Sequence, residues 1–219
     1  VHLGGHCEKG YIVDLTGVGE ATNDDLVALN ADDALQRAQN LDLKCGPIQH
    51  IRISRIKAES CHSFVRLLSV RSRISDIKVK DIEGGCRCMA VNMDGCRECR
   101  VKLFDPADPQ YAHGVGDIKS VHIQNMRVHK TSAEDQTPLI NFRSNVSNFR
   151  IEGFQRNLQL DQSLDAPTLS FKECGNTHMT LQGVHADVGK EMVRLDGGQV
   201  KNESRTLYVD LPEGAEMRL

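Results

Sequence analysis

An apolar pattern at relative positions 0, 3, 5 and 8 recurs along this chain, and it restricts the possible folds more than any other feature. It reads Ile48, Ile51, Ile53, Ile56, then Ile74, Ile77, Val79, Ile82, then Ile118, Val121, Ile123, Met126, and then Val146, Phe149, Ile151, Phe154. Asn176, Met179, Leu181, Val184 form a weakened copy, and Cys7, Gly10, Ile12, Leu15 a degenerate opening one. From Ile48 onward the copies start 26, 44, 28 and 30 residues apart. A second apolar segment follows each of five copies. Phe64–Leu67, Ala90–Met93 and Met192–Leu195 begin 16 residues after their copy starts, Leu139–Phe142 begins 21 after, and Val27–Asn30 begins 20 after.

Positions 3 and 5 flank a polar residue such as Arg52, Lys78 or His122, the alternation of a strand with one buried face. The polar pairs Ser54-Arg55, Lys80-Asp81, Gln124-Asn125 and Glu152-Gly153 mark a turn before position 8. One such unit cannot bury its apolar face alone. Units stacked ~4.8 Å apart share a continuous interior and satisfy one another's backbone groups. A β-sandwich does not require a two-strand pattern at near-constant spacing, and a leucine-rich solenoid would carry Leu and Asn at fixed places with a shorter period. The pattern therefore predicts an all-β chain, a single right-handed parallel β-helix domain over residues 1–219. Val1 falls inside what reads as a strand, so further coils are expected upstream. The 44-residue interval contains an insertion at residues 100–117, whose Pro, Gly and Asp residues predict a surface loop, either part of a binding face or simply variable.

Aromatic residues make up 4% of the chain and Trp is absent, so the interior must be built from Ile, Val, Leu and Met, which suits narrow stacked strands. The formal net charge of −3 comes from mixed signs with no Lys/Arg block, which argues against nucleic acid or a membrane surface as partner. No run approaches the ~20 apolar residues of a membrane-spanning helix. Several of the eight cysteines occupy apolar repeat positions, where a reduced thiol serves as a small hydrophobe. Cys86 and Cys88, with Cys96 and Cys99, have spacings compatible with a tetrahedral zinc site. The strand Ala90–Met93 between the pairs would hold them ~15 Å apart, so the expectation is no metal and no other cofactor.

The segment Asn23-Asp24-Asp25-Leu26-Val27-Ala28-Leu29-Asn30 resembles the catalytic region of polygalacturonases, pectin-degrading glycoside hydrolases built on a right-handed parallel β-helix. Their pattern has an Asn-x-Asp-Gly motif, a strand, paired aspartates, and an apolar strand ending in Asn. Val1-His2-Leu3 would follow the first motif directly. The resemblance implies that Asp24 and Asp25 are catalytic carboxylates and that His2, Asn30 and Arg66 contact substrate. Phe64-Val65-Arg66-Leu67 falls where the family has a substrate-binding Arg-Ile-Lys, and here Leu68 stands in place of the Lys. The family's Gly-His-Gly motif should lie near Cys45-Gly46-Pro47, and no His is there. His2, His50 and His62 are the candidates for the vacant role. The resemblance covers residues 1–70 in motifs and the whole chain in architecture.

The chemistry explains such a cluster. An inverting glycosidase needs carboxyl groups roughly 6.5–9.5 Å apart, with a water between acid and base. Crowded carboxylates push one pKa up and so supply the protonated acid, and a guanidinium grips a uronate carboxylate bidentately. Tyr111 and His113 in the insertion are expected to supply a stacking face and a polar contact to a sugar ring. The expected partner is thus a poly- or oligosaccharide and the expected activity glycoside hydrolysis. The alternatives are a polysaccharide lyase on the same fold, for which Asp32 and Asp33 add carboxylates, and a non-catalytic glycan-binding or structural β-helix. Cysteine usage points to a reducing compartment and the resemblance to secretion, so localisation stays open, as does the oligomeric state.

Overall fold

A computed structural model describes residues 1–19, 24–32, 44–95, 103–112 and 114–170, together with the backbone of 171–172, 175–186, 193–196 and 199–201. The described regular structure is β throughout, apart from one 3-10 turn at Pro109–Tyr111. The strands are β1 (His2–Leu3), β2 (Cys7–Gly17), β3 (Val27–Asn30), β4 (Ile48–Leu68), β5 (Arg73–Asp94), β6 (Asp117–Lys130), β7 (Ile140–Arg143), β8 (Val146–Arg156), β9 (Leu169–Lys172), β10 (Gly175–Ala186), β11 (Val193–Asp196) and β12 (Gln199–Lys201). Each pairing between them is parallel, along the path β1-β3-β4-β5-β6-β8-β10-β12 with β2 on β4 and the run β5-β7-β9-β11 beside it. The sheet does not close on itself. This is an all-β, open parallel ladder, consistent with a solenoid.

The register follows the sequence repeat. Gly10, Ile51, Ile77, Val121, Phe149 and Met179 are successive partners, as are Ile12, Ile53, Val79, Ile123, Ile151 and Leu181. Within these rows the residues from Ile51 to Phe149 and from Ile53 to Ile151 are 0–1% exposed. Each such side chain contributes about 2 kcal/mol by leaving water. The second ladder runs Val27, Val65, Val91, Ile140, Leu169, Val193. Its opening copy is shifted by one residue from the sequence alignment, because Leu26 is itself buried and stands opposite the Ser63–Phe64 step, its N–H donating to the Ser63 carbonyl (2.8 Å). The segment Leu169–Lys172 is a further member, in which only Leu169 and Phe171 are apolar. Phe142 of one ladder meets Phe149 of the other edge-to-face, ring centroids 4.9 Å apart, and so ties the two faces across the core.

A straight 21-residue strand would run roughly 70 Å; β4 is bent instead, at corners that recur in each repeat. The third residue of each copy (Lys9, His50, Asp76, Ser120, Asn148) and the eighth (Asp14, Arg55, Asp81, Asn125, Gly153) have φ between 50° and 63°. Left-handed backbone is costly for most side chains, and here the corner side chains pair across neighbouring repeats. Arg55 donates two hydrogen bonds to Asp14 (2.6 and 2.8 Å), His50 lies 2.7 Å from Asp76, and Asn125 donates to Asp81 (3.0 Å). The polar turn residues of the sequence pattern are therefore bent corners, held in place from one repeat to the next.

The insertion is packed onto the ladder rather than free of it. Its Leu103, Phe104, Tyr111 and Val115 form a second apolar cluster with Leu68 and Val70. Leu68 alternates with the core residue Leu67, so it faces outward from the main interior, yet it is fully buried because the insertion covers it. A lysine at position 68 would carry its charge into this cluster.

Candidate functional site

Asp24 and Asp25 precede β3, whose register fixes their place. Leu26 and Val27 are buried in the main core, so the chain just before them presents its carboxylates on the outward side of the second ladder. Asp24 is exposed and accepts a hydrogen bond from the Asp25 N–H (2.9 Å). The Asp25 side chain is only 5% exposed, with His62 Nδ1 3.4 Å from Oδ1 and Arg66 Nη1 3.9 Å from Oδ2. Both cations come from β4, one strand over. Arg66 also donates to Asp94 (3.3 Å), which accepts from Asn92 (2.5 Å), and Asn141 in turn donates to Asn92 (3.0 Å). Arg66, Asn92 and Asn141 are partners in successive strands, so a polar row climbs the outside of the ladder from Asp25.

Burial of Arg66 works against its charge, but Asp94 and Asp25 outweigh it and raise its pKa further. The Asp25 carboxylate, together with a contact from Cys88, pushes His62 up to about 10, so His62 is an imidazolium at neutral pH.

The structure thus brings Asp24, Asp25 and Arg66 together and adds His62 to them. His2 and Asn30 sit beside this group: His2 pairs with Ala28, which pairs with Arg66, and Asn30 Nδ2 lies 3.4 Å from His2 Nε2. Among the described residues the buried Asn30 Oδ1 has no hydrogen-bond partner. His50 is engaged at a corner with Asp76. Tyr111 is 7% exposed, its ring against Phe104 (centroids 4.8 Å) and its hydroxyl bonded to Arg71 Nε (3.0 Å). A ring so packed has no free face for a sugar. His113 lies outside the described residues, as does Asp33. Asp32 is buried and accepts hydrogen bonds from the N–H groups of Val70, Arg71 and Ser72 (2.6–2.9 Å) and from the Ser72 hydroxyl (2.6 Å). It braces a turn, and its lone pairs are committed there.

Asn92 and Asn141 each sit between two inward apolar residues of the second ladder, the position that Arg66 also occupies, and Asp94 takes the register position of Leu68.

Asp24, Asp25 and His62 present ligand atoms within 4.8 Å of one another. The set suits a cation poorly, because Arg66 adjoins Asp25 and an imidazolium has no lone pair to offer. Of the cysteine cluster, Cys86 is buried in the main core and donates to the His129 carbonyl (3.7 Å), whereas Cys88 is half-buried beside His62; Cys96 and Cys99 lie outside the described residues. A concave groove of about 660 Å³ lies elsewhere on the ladder, lined by Arg55, Lys57, Asp81, Glu83 and Arg127 among others. It contains none of the candidate residues, and several of its charges are already paired, Lys57 with Glu83 (3.1 Å) and Arg55 with Asp14. Comparison with protein-family models, curated proteins and solved structures gives no match.

Proposed function

We propose that the repeats wind into a right-handed parallel β-helix and that the outward face of its second ladder hydrolyses glycosidic bonds in a uronic-acid-containing polysaccharide. The observation that carries this reading is Asp25, set beside the exposed Asp24 and between His62 (3.4 Å) and Arg66 (3.9 Å). Asp25, flanked by two cations, is placed to take a proton from an attacking water. Asp24 is the carboxyl with open access to a glycosidic oxygen. Arg66 supplies the guanidinium for a uronate carboxylate. The two aspartates present oxygens within 4.8 Å of one another, closer than the roughly 6.5–9.5 Å of an inverting pair, so this pair on its own does not make an inverting acid and base.

One observation favours a second reading, glycan binding without catalysis. Arg66 is shared between Asp25 and Asp94, an arrangement that also serves a purely structural polar row. The test is reducing-sugar release from a panel of pectic oligosaccharides by the full chain and by Asp24→Asn and Asp25→Asn. Activity lost in both variants supports the hydrolase. Unchanged activity removes the aspartates from the mechanism. Binding without turnover by the unsubstituted protein selects the second reading, and an ultraviolet-absorbing unsaturated product would point to a lyase.

A further inference from the structure

Next to the carboxylates, β5 carries an irregularity that re-aims one side chain. Cys61 pairs with Cys86 and Ser63 pairs with Met89. His62 alone therefore faces two residues, Arg87 and Cys88, and the extra residue is a β-bulge. Bulges of this kind turn a side chain out of the regular alternation, often beside a functional site. Cys88 immediately precedes the partner of Ser63, so it stands next to His62 across about one strand spacing, ~4.8 Å. Its backbone is locked there: the Cys88 carbonyl accepts from Lys130 Nζ (2.5 Å) and from the Thr137 hydroxyl (3.2 Å). Cys88 is half-buried, and the register leaves it beside His62.

Cys61 and Cys86 differ from Cys88. Both are fully buried, their thiols donate to the Gly85 and His129 carbonyls, and burial pushes Cys61 up to about 12. Thiols in that setting are inert, whereas a half-buried cysteine next to a cationic imidazole meets the conditions for nucleophilic chemistry.

We propose that Cys88 is a nucleophilic thiol at the rim of the carboxylate site, partnered by His62, and that it is a position where soft electrophiles modify this protein. With an alkyl iodide the sulfur attacks carbon, the S–C bond forms, and the C–I bond breaks with its electron pair leaving as iodide. The thiol proton passes to solvent, and the His62 imidazolium stabilises the charge that builds on sulfur. With a peroxide the same sulfur attacks oxygen and the O–O bond breaks. Sulfur is oxidised by two electrons to the sulfenic acid, and the peroxide is reduced to water or an alcohol. The inference does not depend on the glycosidase reading, because the thiol chemistry is measured directly.

The experiment is alkylation of the full, folded chain with iodoacetamide, following the Cys88 peptide by mass spectrometry. Cys88 should react faster than Cys61 and about tenfold faster than Cys88 in a His62→Gln variant. Equal rates at Cys88 with and without His62, or a rate at Cys88 no greater than at Cys61, would overturn the proposal. Circular dichroism establishes that His62→Gln is folded. If it is not, Asp25→Asn takes its place, since removing the carboxylate that favours the imidazolium should slow alkylation, and an unchanged rate there counts equally against the proposal.

Discussion

His62 Nδ1 lies 3.4 Å from Asp25 Oδ1, although the two are 37 residues apart and sit on different strands of the ladder. The contact has a consequence for pH. An ordinary histidine titrates near 6.5, and this one is raised to about 10 by Asp25 and Cys88. The folded state therefore holds the proton more tightly than the unfolded chain. The stabilisation is fully present below about pH 6.5 and is lost as pH rises through about 10. Thermal melting followed from neutral to alkaline pH should show Tm falling across that window, with the fall reduced in His62→Gln. A His62 ring proton titrating near 6.5 by NMR would refute this.

Asp25→Asn keeps the shape of the side chain and removes its charge. If Asp25 is the proton acceptor in hydrolysis, turnover should drop by about 10²–10⁴, with KM changed far less. Arg66→Ala should show the opposite split, raising KM for uronate-containing oligosaccharides while neutral ones are unaffected.

The ladder was legible in the sequence because burial on one face forces the pattern. Ile51, Ile77, Val121 and Phe149 cannot shift by one residue without exposing the whole row, so spacing alone sets the register. Asp24, Asp25 and Arg66 meet because the register sets β3 beside β4, Ala28 opposite Arg66. The fate of Tyr111 was not legible. An aromatic in a Pro- and Gly-rich insertion reads as a surface residue, and only the outward-facing Leu68, itself a substitution with no evident reason in the sequence, signals that something apolar must cover it. The choice among His2, His50 and His62 was equally closed to sequence reasoning, because it depends on which corner of the repeat each occupies. His50 falls on a left-handed corner bonded to Asp76, while His62 falls opposite the bulge.

Leu68→Lys tests the packing of the insertion. The substitution buries an ammonium among Leu103, Phe104, Tyr111 and Val115. The expected loss is about 3 kcal/mol in chemical denaturation, from the lost apolar packing together with the cost of burying a charge. A loss below about 1 kcal/mol, the scale of ordinary surface substitutions, would mean that the insertion lifts away to let the lysine reach water.

Asp32→Ala removes the acceptor for three backbone N–H groups and one hydroxyl at the 70–72 turn. Hydrogen bonds to a charged group contribute about 1.5–3 kcal/mol, and buried donors left without a partner add their desolvation cost. Unfolding free energy should fall by about 3 kcal/mol, and Asp32→Asn, which keeps one acceptor oxygen, should lose less. Equal losses for the two variants would show that the carboxylate charge, rather than the geometry of its acceptors, holds the turn.

Lys130 makes the sharpest prediction about the ladder's edge. Its side chain is fully buried at the end of β6, and its ammonium donates to Asp135 Oδ1 (2.6 Å), the Cys88 carbonyl (2.5 Å) and the Thr137 carbonyl (2.9 Å). Burial alone would raise the Asp135 pKa, but the hydrogen bonds from Lys130 and Thr137 outweigh it and hold the carboxyl down to about 2. Asp135 is thus depressed in the folded state, so its contribution is present above the ordinary carboxylate range and is lost as pH falls through about 2. Lys130→Ala leaves a poorly solvated carboxylate and takes a donor from the Thr137 and Cys88 carbonyls, and a loss of about 3–5 kcal/mol is expected at neutral pH. Combining it with Asp135→Ala should cost less than the sum of the two single losses, because the partner that made each deletion expensive is gone. Strict additivity in that double-mutant cycle would show that Lys130 stabilises the 131–137 segment through its carbonyl contacts alone and not through Asp135.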